Sequence, residues 1–318
     1  MVYAGPKAFF YALSRSVLLK RLASRHGFAH ADGFVRRFIA GETIEEAIDV
    51  ARRLQSRGML LTLDYLGESA RTSDAAADAT REYLRLVDVI VAAGIERNLS
   101  LKLTQLGVDI DRATCVDNLR RILEPAERHG FYVRIDMENS PYTNVTLEVF
   151  ETLWHQGHRC VGVALQSCLH RTAQDVLRMN ELGARVRLVK GAYKEPASVA
   201  HRRKIDVDEA YRRLMRELLD SGTYPAIATH DERLIAETCA YAASRGIAGD
   251  RYEFQMLYGI RRDLQASLVA RGHRMRIYVP FGRQWFPYFM RRLGERPANV
   301  AFVLRGILGE KPQNIGAV

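Results

Sequence analysis

The sequence predicts an α/β chain of the (βα)8-barrel class with an N-terminal helical arm. Three observations point there. Eight short β-branched or apolar runs recur along the chain, each closed by polar residues. Helical patterns separate these runs, as βα units require. No G-x-G-x-x-G turn occurs, which weakens the competing doubly wound sheet. The 318 residues exceed the usual single-domain size but suit one barrel with extensions. The expected division is an arm over residues 1–40, a barrel over 41–310 and a tail over 311–318.

In chain order the predicted strands are LLTLDYLGE from Leu60, LSLKLTQ from Leu99, FYVRIDMEN from Phe131 and CVGVALQS from Cys160. RVRLVKGAY from Arg185, PAIATHDE from Pro225, YEFQMLYG from Tyr252 and RMRIYVPFG from Arg274 complete the set. The helical patterns between them include residues 75–97, 117–129, 206–219 and 232–245. Asp231 is placed to cap the last of these, and Gly130, Gly183 and Gly246 are placed to end helices. Polar residues gather at the predicted strand C-terminal ends: Asp64, Lys102, Asp136, Gln166, Arg187, Lys190, Thr229, His230, Gln255 and Tyr278. A barrel builds its active site at that end.

The formal net charge of +10 favours anionic partners: nucleic acid, a membrane surface, or acidic substrates and cofactors. Cys115, Cys160, Cys168 and Cys239 show no CxxC spacing and no disulfide framework, so a reducing compartment is expected. No run of about 18 apolar residues suggests a spanning helix, and no signal-peptide core is evident. The first 31 residues lack any acid but carry Lys7, Arg15, Lys20, Arg21 and Arg25 among apolar side chains. Such a segment reads as a helix packed on the main domain, or as a basic amphipathic helix on an anionic membrane.

A P-loop, an HExxH, a Gly-x-Ser-x-Gly elbow and a zinc-type cysteine set are all missing. His26 and His30, and His155 and His158, have close spacing without suitable companion ligands, so no metal is expected. Two constellations carry more chemistry. In YVPFGRQWFPYFMRRLGERP, residues 278–297, a helix over 284–294 would place Tyr288, Arg291, Arg292 and Glu295 on one broad face. That face is either a solvated helix with an ordinary ion pair or a cationic clamp for a carboxylate or phosphate. In RLVKGAYKEP, residues 187–196, a strand delivers Arg187 and Lys190 to its end, beside Gly191. The arrangement suits a pyrophosphate or an electron-rich ring, a structural ion pair, or a Schiff-base lysine; Lys102 raises the last question too.

These two segments resemble signature regions of the proline dehydrogenase family. FIAGET at 38–43, LKLTQLG at 101–107, IDMEN at 135–139, ATHD at 228–231 and FQMLYG at 254–259 resemble others, in the family's order. The resemblance implies a flavoenzyme that binds FAD at the strand C-terminal ends of a distorted (βα)8 barrel, with the last helix over the barrel mouth. It implies oxidation of L-proline to Δ1-pyrroline-5-carboxylate, the first step of proline catabolism to glutamate. Arg291 and Arg292 would hold the substrate carboxylate with Lys102, while Tyr278, Tyr288 and Leu257 pack its ring. Gln166, Arg187, Lys190, Gly191, Ala192, Thr229, His230 and Gln255 would line FAD, approached by Asp136 and Met137. Glu68 resembles the acidic half of a gate that pairs with Arg291, and no dedicated general base is expected.

Phe281 departs from the tyrosine that many members carry there, with little expected effect; Tyr278 is linked by the resemblance to proline over hydroxyproline. The chain is expected to be monofunctional, being too short for the further segments of bifunctional relatives. The implied acceptor is a membrane quinone, giving a cytoplasmic protein with peripheral contact at the inner face of the membrane. Transfer of product to a separate pyrroline-5-carboxylate (glutamate-semialdehyde) dehydrogenase is left open. Two other readings remain: a barrel lyase or aldolase using Lys102 or Lys190, and a basic nucleic-acid-binding protein. The second rests on charge alone and leaves the strand-end residues unexplained, so no nucleic acid is expected.

Overall fold

The structure, a computed structural model, describes residues 35–295, with side chains through Leu293. The acid-free segment, most of the predicted arm, the tail and the Glu295 side chain lie outside the described residues. In order, the elements are α1 (Ile44–Gln55), β1 (Leu60–Tyr65), α2 (Ser73–Ala93), β2 (Asn98–Leu101), α3 (Arg112–Arg128), β3 (Tyr132–Ile135) and α4 (Thr143–His155). They continue with β4 (Val161–Gln166), α5 (Thr172–Leu182), β5 (Val186–Val189), α6 (Lys204–Ser221), β6 (Ala226–Ala228) and α7 (Glu232–Ser244). β7 (Glu253–Leu257), α8 (Arg262–Ala270), β8 (Met275–Phe281) and α9 (Trp285–Glu295) complete the set. Short 3-10 turns cover Leu103–Leu106 and Ser140–Tyr142.

The eight strands pair in sequence order, all parallel, and β8 closes on β1 from Leu60↔Arg276 to Tyr65↔Phe281. Closure removes every sheet edge. Local chemistry sets the helix limits. Thr43 and Glu46 form a capping box at the start of α1, and Asp111 and Asp231 cap α3 and α7 through their side chains. Gly183 ends α5 at φ 69°, where a Cβ would be strained.

Several predicted limits shift for physical reasons. The strand expected through LSLKLTQ stops at Leu101, and Lys102 begins a 3-10 turn instead. The helix expected to reach Arg97 ends at Ala93, because Gly94 adopts the left-handed conformation. The helix expected from Asp117 begins at Arg112, one and a half turns earlier, on its Asp111 cap.

The core lies mainly between strands and helices. Leu61, Leu63, Leu99, Leu101, Val133 and Ile135 pack outward against helical faces such as Tyr83, Leu86 and Ile90 of α2. A second apolar cluster joins Val35, Phe38 and Ile39 to Leu66, Trp285, Phe286, Phe289 and Leu293. It fastens α9 beside the loop after β1, at the strand C-terminal end. The Ala40 N–H also donates to the Pro280 carbonyl. Residues 35–40 thus pack directly against the barrel.

The barrel interior is polar. Glu253 accepts from Arg276 Nε at 2.8 Å and from Gln255 Nε2, whose Oε1 accepts from Arg187 Nε at 2.6 Å. Arg187 then donates to Ser100 and Asp136, and the Tyr278 hydroxyl donates to Asp136 at 2.7 Å. This column runs along the barrel axis to the strand C-terminal end. Buried ionic groups survive only where such partners compensate their lost hydration.

Candidate active site

Period-two alternation along the strands delivers Asp64, Asp136, Arg187, Gln255 and Tyr278 to the barrel interior. Lys102 follows β2 directly, so its side chain enters the same mouth. Its Nζ lies 3.5 Å from Asp64 Oδ1 and 3.7 Å from Asp136 Oδ2. Burial disfavours the ammonium, but Asp64, Asp136 and Glu68 outweigh that effect and hold its pKa above the ordinary lysine value. A Schiff-base lysine needs the opposite, a neutral amine, so the lyase reading loses its support at Lys102. Lys190 Nζ is engaged by two carboxylates, Asp208 at 2.6 Å and Asp231 at 2.8 Å.

Across the mouth α9 brings Tyr288, Arg291 and Arg292 inward. Arg291 Nη1 donates to Glu68 Oε1 at 2.6 Å, with the side chains 25% and 32% exposed. Burial pushes the Glu68 carboxyl up, but the Arg291 charge and hydrogen bond prevail and leave it below the usual value. Both guanidiniums lie over the Tyr288 ring, Arg292 at 5.0 Å and Arg291 at 6.0 Å from its centroid. Tyr278 packs against the apolar cluster that carries α9, and burial raises its hydroxyl pKa far above the ordinary value. The mouth therefore combines three cations with two tyrosine rings. It can hold a small anion by one end and a flat apolar body by the other.

The remaining predicted residues form a second arc. Gln166, at the end of β4, is buried and donates to the Glu138 carbonyl at 2.8 Å. Gly191 and Ala192 lie exposed in the loop after β5. Gly191 has φ 105°, and a Cβ there would stand 2.4 Å from Cys168 Sγ. Thr229 accepts from the Asp231 N–H, and Leu257 donates its N–H to His230 Nε2 at 2.9 Å. That nitrogen therefore carries no proton in this contact. Met137 is buried against the core. Leu257 ends β7 half-buried at the rim.

Sequence reasoning assigned no role to Tyr193, although it lies within the quoted RLVKGAYKEP segment. Burial pushes its hydroxyl pKa up to about 12, and Lys102, Glu138, Arg291 and Glu68 are all close enough to act on it. The loop that carries it is tied down by Glu195, which accepts from the Ser140 N–H at 2.8 Å and from its hydroxyl. Glu138 was also missed: it accepts from the N–H and hydroxyl of Thr104 and braces the turn after Lys102. Neither tie spans residues near in sequence, so no local pattern announces it.

Comparison with known proteins agrees with this geometry. Residues 47–305 match the family model described as proline dehydrogenase. Proline dehydrogenase 2 of Bacillus subtilis is 41% identical over 299 residues, covering 94% of this chain and 97% of that one. Proline dehydrogenase of Deinococcus radiodurans is 43% identical over 276 residues, covering 86% and 89%. Among solved structures, proline utilization A from Bdellovibrio bacteriovorus, inactivated by N-propargylglycine, superposes with a TM-score of 0.80 at 26% identity. The match covers 98% of this chain but 37% of that larger one. A closed parallel barrel, a cationic helix α9 at its mouth and these relatives lead to one conclusion: the chain belongs to the proline dehydrogenase family.

Proposed function

We propose that the chain oxidises L-proline to Δ1-pyrroline-5-carboxylate, with FAD bound at the strand C-terminal end of the barrel. The observation that carries this reading is the convergence of Lys102, Arg291 and Arg292 with Tyr278 and Tyr288. Proline presents the complementary shape, a carboxylate on a compact apolar ring.

The second arc fits FAD by its chemistry and its space. Gln166, Gln255, Thr229 and His230 offer polar edges for a flavin ring system, while Arg187 and Lys190 offset anionic charge. At Gly191 the missing Cβ and left-handed backbone leave the loop flat against Cys168, and the neighbouring Ala192 is exposed as well. Asp136 and Met137 complete the assignment at β3. FAD, when bound, supplies a two-electron acceptor for the hydride leaving the ring carbon beside nitrogen.

In this reading Arg291 and Arg292 take the carboxylate, Lys102 assists, and Tyr278, Tyr288 and Leu257 fix the ring. Orientation of this kind replaces a large entropic barrier. The substrate nitrogen must lose its ammonium proton before its lone pair can expel hydride. Three nearby cations lower that ammonium pKa, so no side chain need act as a dedicated base. Lys102 and Tyr278, both held protonated, are unsuited to that task in any case. Glu68 competes with the substrate for Arg291 and thereby gates the mouth.

A visible spectrum of the purified protein, followed by anaerobic addition of L-proline, tests the reading. A flavin spectrum that bleaches is expected; a protein unable to take up FAD would sink it. Arg292→Met should weaken proline binding by about 2–5 kcal/mol, the range for a buried charge pair losing one partner. The onward acceptor in this reading is a quinone and the setting the inner face of the membrane, both carried by the family resemblance. Reduction of a soluble quinone analogue and co-sedimentation with anionic vesicles test them separately. Among the described residues no helix is long and apolar enough to cross a membrane.

A further inference from the structure

At the strand N-terminal end, opposite the mouth, lies a cavity of about 640 Å³. Its lining includes Arg185, Tyr224, Asp250, Arg274 and Arg276, with Leu60 and Val269 as apolar wall. The three arginines differ in their partners. Arg276 is neutralised by Glu253 at 2.8 Å and Glu96 at 2.8 Å. Arg185 and Arg274 have no carboxylate within ion-pair distance among the described residues. Both instead lie over one ring: the Arg185 guanidinium carbon is 5.0 Å and that of Arg274 5.6 Å from the Tyr224 centroid.

We propose that this cavity binds an oxyanion, a phosphate or carboxylate group, between Arg185 and Arg274. Two guanidiniums around one tyrosine repel each other, and an anion between them removes the repulsion and accepts from both planar forks. The site is held in shape beforehand. Arg274 Nη1 donates to the Tyr224 hydroxyl at 3.1 Å, and that hydroxyl donates to buried Glu253 at 3.0 Å. Tyr224 is kept at φ 46°, a left-handed conformation that a bulky aromatic residue adopts only under constraint. Beneath Arg185, the fully buried Arg134 donates to its carbonyl and adds a third positive charge; the Arg134 Nε has no partner among the described residues. Asp250, the one lining carboxylate outside the Arg276 pairs, is not within ion-pair distance of Arg185 or Arg274; the Arg274 cation is favoured first by the Tyr224 hydroxyl and only further off by Asp250 and Glu253.

The test is isothermal titration calorimetry of the flavin-loaded, full-length protein at constant chloride. Inorganic phosphate is one probe and succinate the other. Saturable binding of either probe is expected, lost at least tenfold in Arg185→Gln/Arg274→Gln, and their relative strength tells phosphate from carboxylate. Neither residue approaches the mouth, so KM for L-proline should not change in the double variant. This separates failure here from failure of the proposed reaction. Arg274→Lys keeps the charge but loses the fork, and should bind between the two. Overturning results are no saturable binding of either probe by the wild type, or binding that persists undiminished in a double variant with unchanged circular dichroism.

Discussion

Replacing Lys102 with methionine removes the cation at the centre of the mouth, and the structure says which neighbour suffers. Asp136 keeps Arg187 at 2.5 Å and the Tyr278 hydroxyl at 2.7 Å. Asp64 keeps no cation within ion-pair distance: it is fully buried, and its Oδ2 already lacks a partner among the described residues. Stranding one member of a buried pair costs about 3–5 kcal/mol. The loss for Lys102→Met should fall near the lower end, because Asp64 can escape by binding a proton. Burial already raises its pKa; Lys102 is the main group pulling it down. A carboxyl whose folded pKa is raised stabilises the native state below its unfolded pKa, and that contribution disappears as pH rises through the folded value. Removing Lys102 raises the folded value further. The penalty should therefore be full near about pH 8 and shrink towards about pH 5. Urea unfolding of wild type and variant across that range measures it. A penalty constant with pH, or one below about 1 kcal/mol as for exposed pairs, would refute a buried Lys102–Asp64 couple.

Other perturbations probe separate parts of the barrel. Glu253→Gln leaves buried Arg276 with only Glu96 and should cost about 3 kcal/mol at neutral pH. Burial raises the Glu253 pKa but Arg276 outweighs it, so the folded value is depressed. The wild-type advantage should then fade in acid denaturation series as pH falls through that value. Glu68→Gln frees Arg291 for substrate; because the pair is partly exposed, the gain is at most about 1 kcal/mol, read as a KM for L-proline lower by up to about fivefold. Gly191→Ala should lower stability by about 1–2 kcal/mol and weaken FAD retention. Adding Cys168→Ala should restore only part of the loss, because it relieves the contact and leaves the backbone strain.

Much of the barrel was legible because strand runs, helix caps and glycine stops are local signals. Asp231 as a cap and Gly183 as a stop follow from side-chain and backbone chemistry within a few residues. Lys102 shows the limit: a β-like run continues past it, yet the chain turns, with Glu138, more than 30 residues on, bonding Thr104. The polar interior was harder still. Alternation in Leu60–Tyr65 or Met275–Phe281 separates two faces without saying which is inside. Thr62, Ser100, Arg134 and Arg276 look like solvent-facing positions, but helices cover the apolar face and turn the polar one to the axis. Tyr193 was missed because its meaning depends on Lys102, Arg291 and Glu68, three residues brought to it only by the closed fold.

The cost of that polar interior points to its use. Apolar residues of similar volume in place of Arg276–Glu253 or Arg187–Asp136 would be as stable or more so. What they could not supply is a fixed field. Arg187 is held on three sides by Gln255, Asp136 and Ser100, so its charge cannot reorient when a ligand arrives. Asp136 in turn fixes the Tyr278 hydroxyl, and with it the ring that the proposed function places against the substrate. Preorganised dipoles of this kind need no rearrangement during reaction, which is why they act more strongly than mobile water. Arg291 is different: its anionic partner among the described residues, Glu68, is partly exposed and therefore exchangeable. The mouth thus divides its charges into a rigid set, held by buried partners, and the partly exposed Arg291–Glu68 pair, which under the proposed function would open to admit the substrate.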